Sequence, residues 1–348
     1  MNFETLSRAE RPIRLASRLS RMTLALAVVI GTGGSALAVD AGMPQTGEQP
    51  SGEAMVAAFH SVFGARHVRA THAKGILVVG SFAPSASAAE FVKAPLFKTD
   101  GTKVLARFSD FTGIPDISDT EPASNPRGLA LKFTMSDGAS MDVVTHNFNG
   151  FPAANAEEFR QLLLAIAASG PTAPKPTRLD AFLDSHPAAK TFLTTQKKPS
   201  VSYASISYFG VNAFKFTAAD GKIAMVRYRL VPVSGEELLT DAAFAAAGPN
   251  YLSEELPKRL ARAPAAYRWL AQIAEPGDGT DDPSQAWPET RQLVELGTIT
   301  LTRIADASDA TDSATLFMPT NVPDGITPID PMLSVREAAY PVSFGERQ

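Results

Sequence analysis

At 348 residues, 45% of them apolar, the chain has material for one large hydrophobic core or two small ones. It contains no cysteine, which excludes disulfides, thiolate metal sites and a cysteine nucleophile together. A formal charge of −4, with no basic block beyond the N-terminus, argues against nucleic acid or an anionic membrane as partner.

The N-terminus carries Arg8, Arg11, Arg14, Arg18 and Arg21, then an apolar run from Met22 to Ile30 that is too short to span a bilayer, then Ala36-Leu37-Ala38. This pattern predicts a secretory signal peptide over residues 1–38, cleaved after Ala38, and hence a periplasmic protein. No twin arginine precedes the apolar run, so export unfolded by the general route is expected, with any cofactor inserted outside the cytoplasm. Loss of the five arginines together with Glu4 and Glu10 moves the net charge from −4 to −7. Residues 39–50, rich in Gly, Pro and small polar types, are expected to be mobile. Residues 51–348 show no linker and are expected to form a single domain.

Apolar residues at Met55, Phe59 and Phe63 predict a helix over 52–63. Strand signals follow at Ile76–Gly80 and Val104–Ser109, then at Leu129–Met135 and Met141–Thr145 around the turn Ser136-Asp137-Gly138. The hairpin plan recurs at Ala213–Phe216 and Ile223–Leu230 around Ala219-Asp220-Gly221, and a last strand covers Gly297–Thr302. Between the strands, Asn155 with Glu158 reads as a capping box for a helix over Ala156–Ser169, ended by Gly170. A second helix is expected from Ser253 to Pro264, with a continuation over Ala265–Ala274. The C-terminal helix opens at Asp330-Pro331, an N-cap followed by proline. The expectation is an α+β fold of about seven strands closed into an antiparallel barrel, with inserted and C-terminal helices, whose interior or mouth holds a ligand.

Two local features bear on chemistry. His72 stands immediately before an apolar strand, where rigid backbone suits a group that moves protons; taken alone, though, it reads first as a buried structural histidine. Leu333, Arg336 and Tyr340 share one face of the C-terminal helix. A guanidinium beside a phenol favours the phenolate, a hard oxygen donor suited to ferric iron. The alternative is a surface helix with an incidental Arg–Tyr pair.

Five separated motifs decide between these readings: Arg69-x-x-His72-Ala-Lys-Gly, Arg107-Phe108-Ser109, Asn125-Pro126-Arg127-Gly128-Leu-Ala-Leu-Lys132-Phe133, Asp142-x-Val144-x-x-Asn147 and Arg336-x-x-x-Tyr340. Their order resembles that of haem catalases, and the chain is similar over roughly residues 60–345 to the catalase-related peroxidases, short exported members of that superfamily. The resemblance implies a catalase-like barrel with haem b bound against it. It makes His72 the distal base, with Ser109 hydrogen-bonded to it and Asn147 the distal amide. Tyr340 becomes the axial iron ligand with Arg336 as charge partner, and Arg69, Arg107 and Arg347 become partners of the haem propionates.

Two departures stand out. The motif begins with Asn125 where catalases usually have aspartate, and Phe148–Pro152 does not follow the family pattern, which leaves Phe151 as the aromatic residue expected over the haem. The chain also has little sequence for the family's NADPH site or arm-exchanged tetramer, so a monomer or homodimer is expected. A more accessible haem favours oxidation of small organic donors by hydrogen peroxide, with weak or no catalase activity. The alternatives are a small true catalase, a non-catalytic haem-binding protein, and an enzyme converting fatty-acid hydroperoxides.

The remaining candidates read as structural. His146 neighbours Asn147 and is expected to face away from the pocket; His60, His67 and His186 lack metal-ligand spacing; Trp269 and Trp287 suit the core or its boundary. Asp281-Asp282 and the cluster Asp306, Asp309 and Asp312 are expected in solvated loops.

Overall fold

The computed structural model of the chain describes residues 49–195, 198–306 and 309–348. The expected signal peptide and residues 39–48 of the expected mobile segment lie outside the described residues. Alternation in the sequence becomes alternation across a sheet: Leu129, Leu131 and Phe133 are buried, while Ala130 and Lys132 between them are only partly so. Among the described residues nine strands form: β1 (Gly75–Pro84), β2 (Thr102–Ser109), β3 (Gly128–Thr134), β4 (Ser140–His146), β5 (Tyr208–Thr217), β6 (Ile223–Pro232), β7 (Ala265–Ile273), β8 (Leu293–Ile304) and β9 (Ile326–Pro328). Each of the first eight pairs antiparallel with its neighbours in sequence, β1 also pairs with β8, and β4 meets β5 through His146 and Phe209. The result is a closed eight-stranded antiparallel barrel, with β9 added to β5.

Aromatic packing fills the barrel. Trp269 is fully buried, stacked on Phe133 at a centroid distance of 5.1 Å and edge-on to Phe82 at 5.5 Å. Trp287 lies at the boundary, where its Nε1 donates to Gly279 O (2.8 Å) and the Arg227 guanidinium covers its ring at 4.5 Å.

The position of Trp269 corrects one expectation, because it lies on β7 and not on a helix. The helix Tyr251–Arg262 stops at Ala263, whose φ of −159° and ψ of 151° are extended, as the residue before Pro264 is biased to be. Beyond that proline, Tyr267 and Trp269 are buried on either side of exposed Arg268, and Leu270, Ala271 and Gln272 are buried after them; the alanines at 265, 266 and 271 had disguised a strand. Together with β9, too short to show a period, this raises the strand count from seven to nine.

Outside the barrel, the helices Gly52–Phe63, Ala156–Ala167 and Met332–Gly345 form a second core through Met55, Val56, Phe159, Leu163 and Val335. The first and last touch closely, since a Cβ on Gly52 would fall 2.4 Å from Ala338 O. Glycine there lets the C-terminal helix lie against the barrel mouth.

Candidate active site

His72 sits in the turn before β1 at φ +57°, a left-handed conformation that costs a non-glycine residue about 1–3 kcal/mol and persists only where its surroundings enforce it. Its N–H donates to Phe111 O and that of Ala73 to Thr112 O, both at 2.8 Å. Arg107, on β2, donates from Nη1 to His72 O (2.8 Å) and from Nη2 to Ala73 O (3.0 Å). The imidazole is held as firmly: Nδ1 lies 3.0 Å from Ser109 Oγ, and Phe111 meets the ring edge-on at 5.6 Å. Burial, with Arg107 adding to it, pushes the imidazole down to about 3, so the ring is neutral at ordinary pH.

Ser109 thus stands where the family resemblance implied. Asn147 follows β4, and its side chain is turned to the backbone: Oδ1 accepts from Arg127 N (2.7 Å), while its own N–H donates to Arg127 O (2.9 Å). Phe151 does not line the cavity beside His72. It packs among Phe159 (4.8 Å), His146 (6.3 Å) and Phe192 (6.4 Å) in the helical core, and the phenylalanines at the cavity wall are Phe59 and Phe317. His146 does not line the cavity either.

The helix Met332–Gly345 presents Tyr340 to the same cavity, and its Oη accepts from Arg336 Nε (3.1 Å) and Nη2. Arg336 is oriented by a residue that sequence reasoning missed. Its Nη1 donates to Asn212 Oδ1 (2.6 Å), and Asn212 Nδ2 donates to Asp330 Oδ2 (2.8 Å). Asp330 Oδ1 in turn accepts from Met332 N (2.9 Å), so the expected capping residue also anchors the tyrosine's arginine. Asn212 reaches it from an irregularity in β5, where pairing with β6 breaks between Gly210 and Phe214 and the side chain is re-aimed. No sequence pattern marks such a break.

The cavity that His72 and Tyr340 both line measures about 130 Å³ and is mostly apolar, with Val56, Phe59, Ala130, Val144, Phe317 and Ala339 among its walls. Arg69, Arg107 and Arg347 border it. They converge on one segment of chain. Arg69 Nη2 donates to the carbonyls of Asp312 (2.9 Å) and Thr315 (2.7 Å), and Arg347 donates to Ser313 O (2.8 Å) and Thr315 O (3.1 Å). Arg107 pairs with the Asp312 carboxylate through Nε (2.7 Å) and Nη2 (2.9 Å).

Asp312 is therefore an ion-pair partner and not a solvated loop residue, a correction with a physical reason: its partners are far away in sequence and appear only when the barrel mouth is assembled. Two guanidiniums, of Arg107 and Arg69, pair with this one carboxylate, and the Arg347 charge lies near it. Burial and the neighbouring Arg107 charge push Arg69 down to about 9 and Arg347 to about 10, as expected where positive charge is incompletely balanced. The cluster suits a ligand carrying carboxylates. Elsewhere, His60 pairs with Glu346 (3.2 Å) and His186 stacks on Phe182 (3.8 Å), and among the described residues no group of three or more His, Cys, Asp or Glu is placed to hold a metal ion.

The catalase family model matches residues 65–347. A catalase-related peroxidase of Synechococcus elongatus is 35% identical over 342 residues, which cover 96% of this chain and 98% of that protein. One of Mycolicibacterium paratuberculosis is 37% identical over 279 residues, covering 79% and 87% respectively. Among solved structures, a fungal catalase superposes with a TM-score of 0.71 at 20% identity, and catalase A of Saccharomyces cerevisiae with 0.69 at 20%. These likenesses cover 80% of this chain but only 59% and 61% of those longer chains, and they concern the barrel fold. With a family match from before His72 to beyond Tyr340 and relatives above 30% identity along most of their length, this chain belongs to the catalase family.

Proposed function

We propose that the protein is a haem peroxidase of the catalase superfamily that uses hydrogen peroxide to oxidise small organic donors. The observation that carries this reading is that a neutral, anchored His72–Ser109 pair and an Arg336-bonded Tyr340 line one apolar cavity. The cavity's chemistry fits haem: an apolar space for the macrocycle, a phenol oxygen on one wall, and an arginine cluster short of negative charge at the border for two propionates. Tyr340 would hold the iron, and Arg69, Arg107 and Arg347 the carboxylates. The family resemblance implies haem b, and with no cysteine for a thioether link it would be held without that attachment.

When bound, the haem supplies the redox chemistry that splits the peroxide O–O bond and draws electrons from donors. The protein supplies the proton path. Nδ1 of His72 is occupied by Ser109, so Nε2 takes the proton from one peroxide oxygen and returns it to the other, which leaves as water. Two electrons and two protons from donors then complete the reduction of one peroxide to two waters. Asn147 enters as a positioning residue, since its Oδ1 holds the Arg127 backbone next to Gly128. The strain held at His72 favours an enzyme over a non-catalytic haem carrier, which has no use for an enforced distal histidine. Export to the periplasm is proposed from the N-terminal pattern alone, and a monomer or homodimer from the resemblance.

Steady-state consumption of hydrogen peroxide, with and without a phenolic donor, tests the reading. Donor oxidation that outpaces oxygen release supports it. Oxygen release that dominates without donor makes the protein a small true catalase, and haem binding without turnover makes it a carrier.

A further inference from the structure

Both carbonyls of the His72–Ala73 turn are taken by one side chain, that of Arg107. The conformation that these bonds hold, φ +57° at His72, would relax if the guanidinium tilted. Its plane is fixed from two sides. On one it lies flat on β1, where a Cβ at Gly75 would meet Arg107 Cζ at 2.5 Å. On the other, the two oxygens of Asp312 accept from Nε (2.7 Å) and Nη2 (2.9 Å), the two-point match of carboxylate and guanidinium. Four of the five Arg107 N–H donors are thereby spent within the protein, leaving one on Nη1. Arg107 is thus chiefly a clamp on the His72 turn. Asp312, its side chain 25% exposed, sets the clamp.

We propose that Asp312 is a positioning residue for His72, acting through Arg107 to keep Nε2 aligned with peroxide. The inference rests on the haem peroxidase reading above. The carboxylate itself touches neither cofactor nor substrate in this role. It transmits position along a chain of hydrogen bonds, carboxylate to guanidinium to backbone carbonyl, and the imidazole follows the backbone.

The test uses haem-loaded wild type, Asp312→Asn, His72→Ala and the double variant, with haem content equalised by absorbance. Stopped flow reads the rate of reaction with hydrogen peroxide, and haem titration of the apoproteins reads affinity. Misplacing a catalytic group by up to an ångström costs up to about a hundredfold, so Asp312→Asn is expected to slow the reaction about tenfold at equal haem content. In the His72→Ala background it should change nothing further, because the residue it positions is gone. That non-additivity is the signature, since a general loosening of the fold would slow both backgrounds alike. Equal rates for wild type and Asp312→Asn overturn the proposal, as does the same fold-loss with and without His72. Should Asp312→Asn fail to fold, Asp312→Glu keeps the charge while its extra methylene spoils the two-point match, and the same cycle applies. If wild type takes up no haem, the peroxidase reading falls by itself. The ring-nitrogen NMR shifts of His72 in apoprotein then decide: a change in Asp312→Asn supports the coupling, and identical spectra overturn it.

Discussion

A Cβ on Gly128 would lie 2.8 Å from Nδ1 of His72 and 2.6 Å from Oγ of Ser109, so the absence of a side chain on β3 is what lets the histidine and serine meet. Gly128→Ala must push one of them aside. The expected result is a protein destabilised by about 1–3 kcal/mol, the usual cost of overpacking. Its reaction with peroxide should slow at least about tenfold, consistent with a misplaced base. Chemical denaturation and stopped flow check the two parts separately, and an unperturbed rate would show that the Ser109 contact is dispensable.

Tyr340→Phe removes the cavity-lining phenol oxygen, bonded by Arg336, that would hold the iron. Haem uptake by the apoprotein, followed by absorbance, is expected to be lost or weakened more than about tenfold, the scale on which orientation and ligation of a metal are felt. Full occupancy with an unchanged spectrum would mean that the iron is held elsewhere.

Asn212→Ala leaves Arg336 without its second anchor while Tyr340 keeps its own side chain. A smaller effect follows, about a threefold to tenfold loss of haem affinity, the scale of one ordinary net hydrogen bond, because the lost contact acts on the iron ligand only through Arg336. Wild-type affinity in this variant would make the β5 irregularity a matter of barrel shape alone.

His72→Ala should retain haem yet react with peroxide at least about a hundredfold more slowly, since a positioned proton shuttle contributes about two to four powers of ten. Equal stopped-flow rates would return His72 to the structural role that the sequence alone allowed.

The same variant carries a stability signature in the apoprotein. His72 is pushed down to about 3 in the folded chain, against about 6.5 for an unperturbed histidine. Between those values the unfolded chain binds more protons, so stability conferred by a neutral His72 is present above about pH 6.5 and lost as pH falls toward 3. Asp110, pushed up to about 6 chiefly by burial, runs the other way: its cost grows as pH rises from the ordinary carboxylate range to about 6. The variant leaves Asp110 in place, so the difference between the two proteins isolates His72. Denaturation at pH 4 and pH 7 is expected to show a shallower loss on acidification in His72→Ala than in wild type; parallel losses would mean that the histidine titrates normally.

What was legible in the sequence shares a property of scale. The Asp137-Gly138 and Asp220-Gly221 hairpins depend on neighbours a few residues apart. So does the Asn155 cap, whose Oδ1 accepts from Glu158 N, although the Glu158 carboxylate reaches Ala154 N in place of completing the box. The Arg336–Tyr340 pair lies one helical turn apart, which is why one face could be assigned to both before any fold was known. The approach of His72 to Ser109 came from the family resemblance, since no local period joins residues on separate strands.

The rest waited on closure of the barrel. Composition alone made Ala265–Ile273 look helical, and only pairing with β6 and β8 on both edges made it a strand. Asn212 meets Arg336 because a break in β5 turns it across 124 residues of sequence, and Asp312 meets Arg107 across 205. Periodicity reports which face of an element is apolar, and so the sequence by itself determined the elements, the ordered motifs and the arginine–tyrosine face. Which charges settle against each other at the mouth depends on how those elements are brought together in space, and that was decided by the tertiary structure alone.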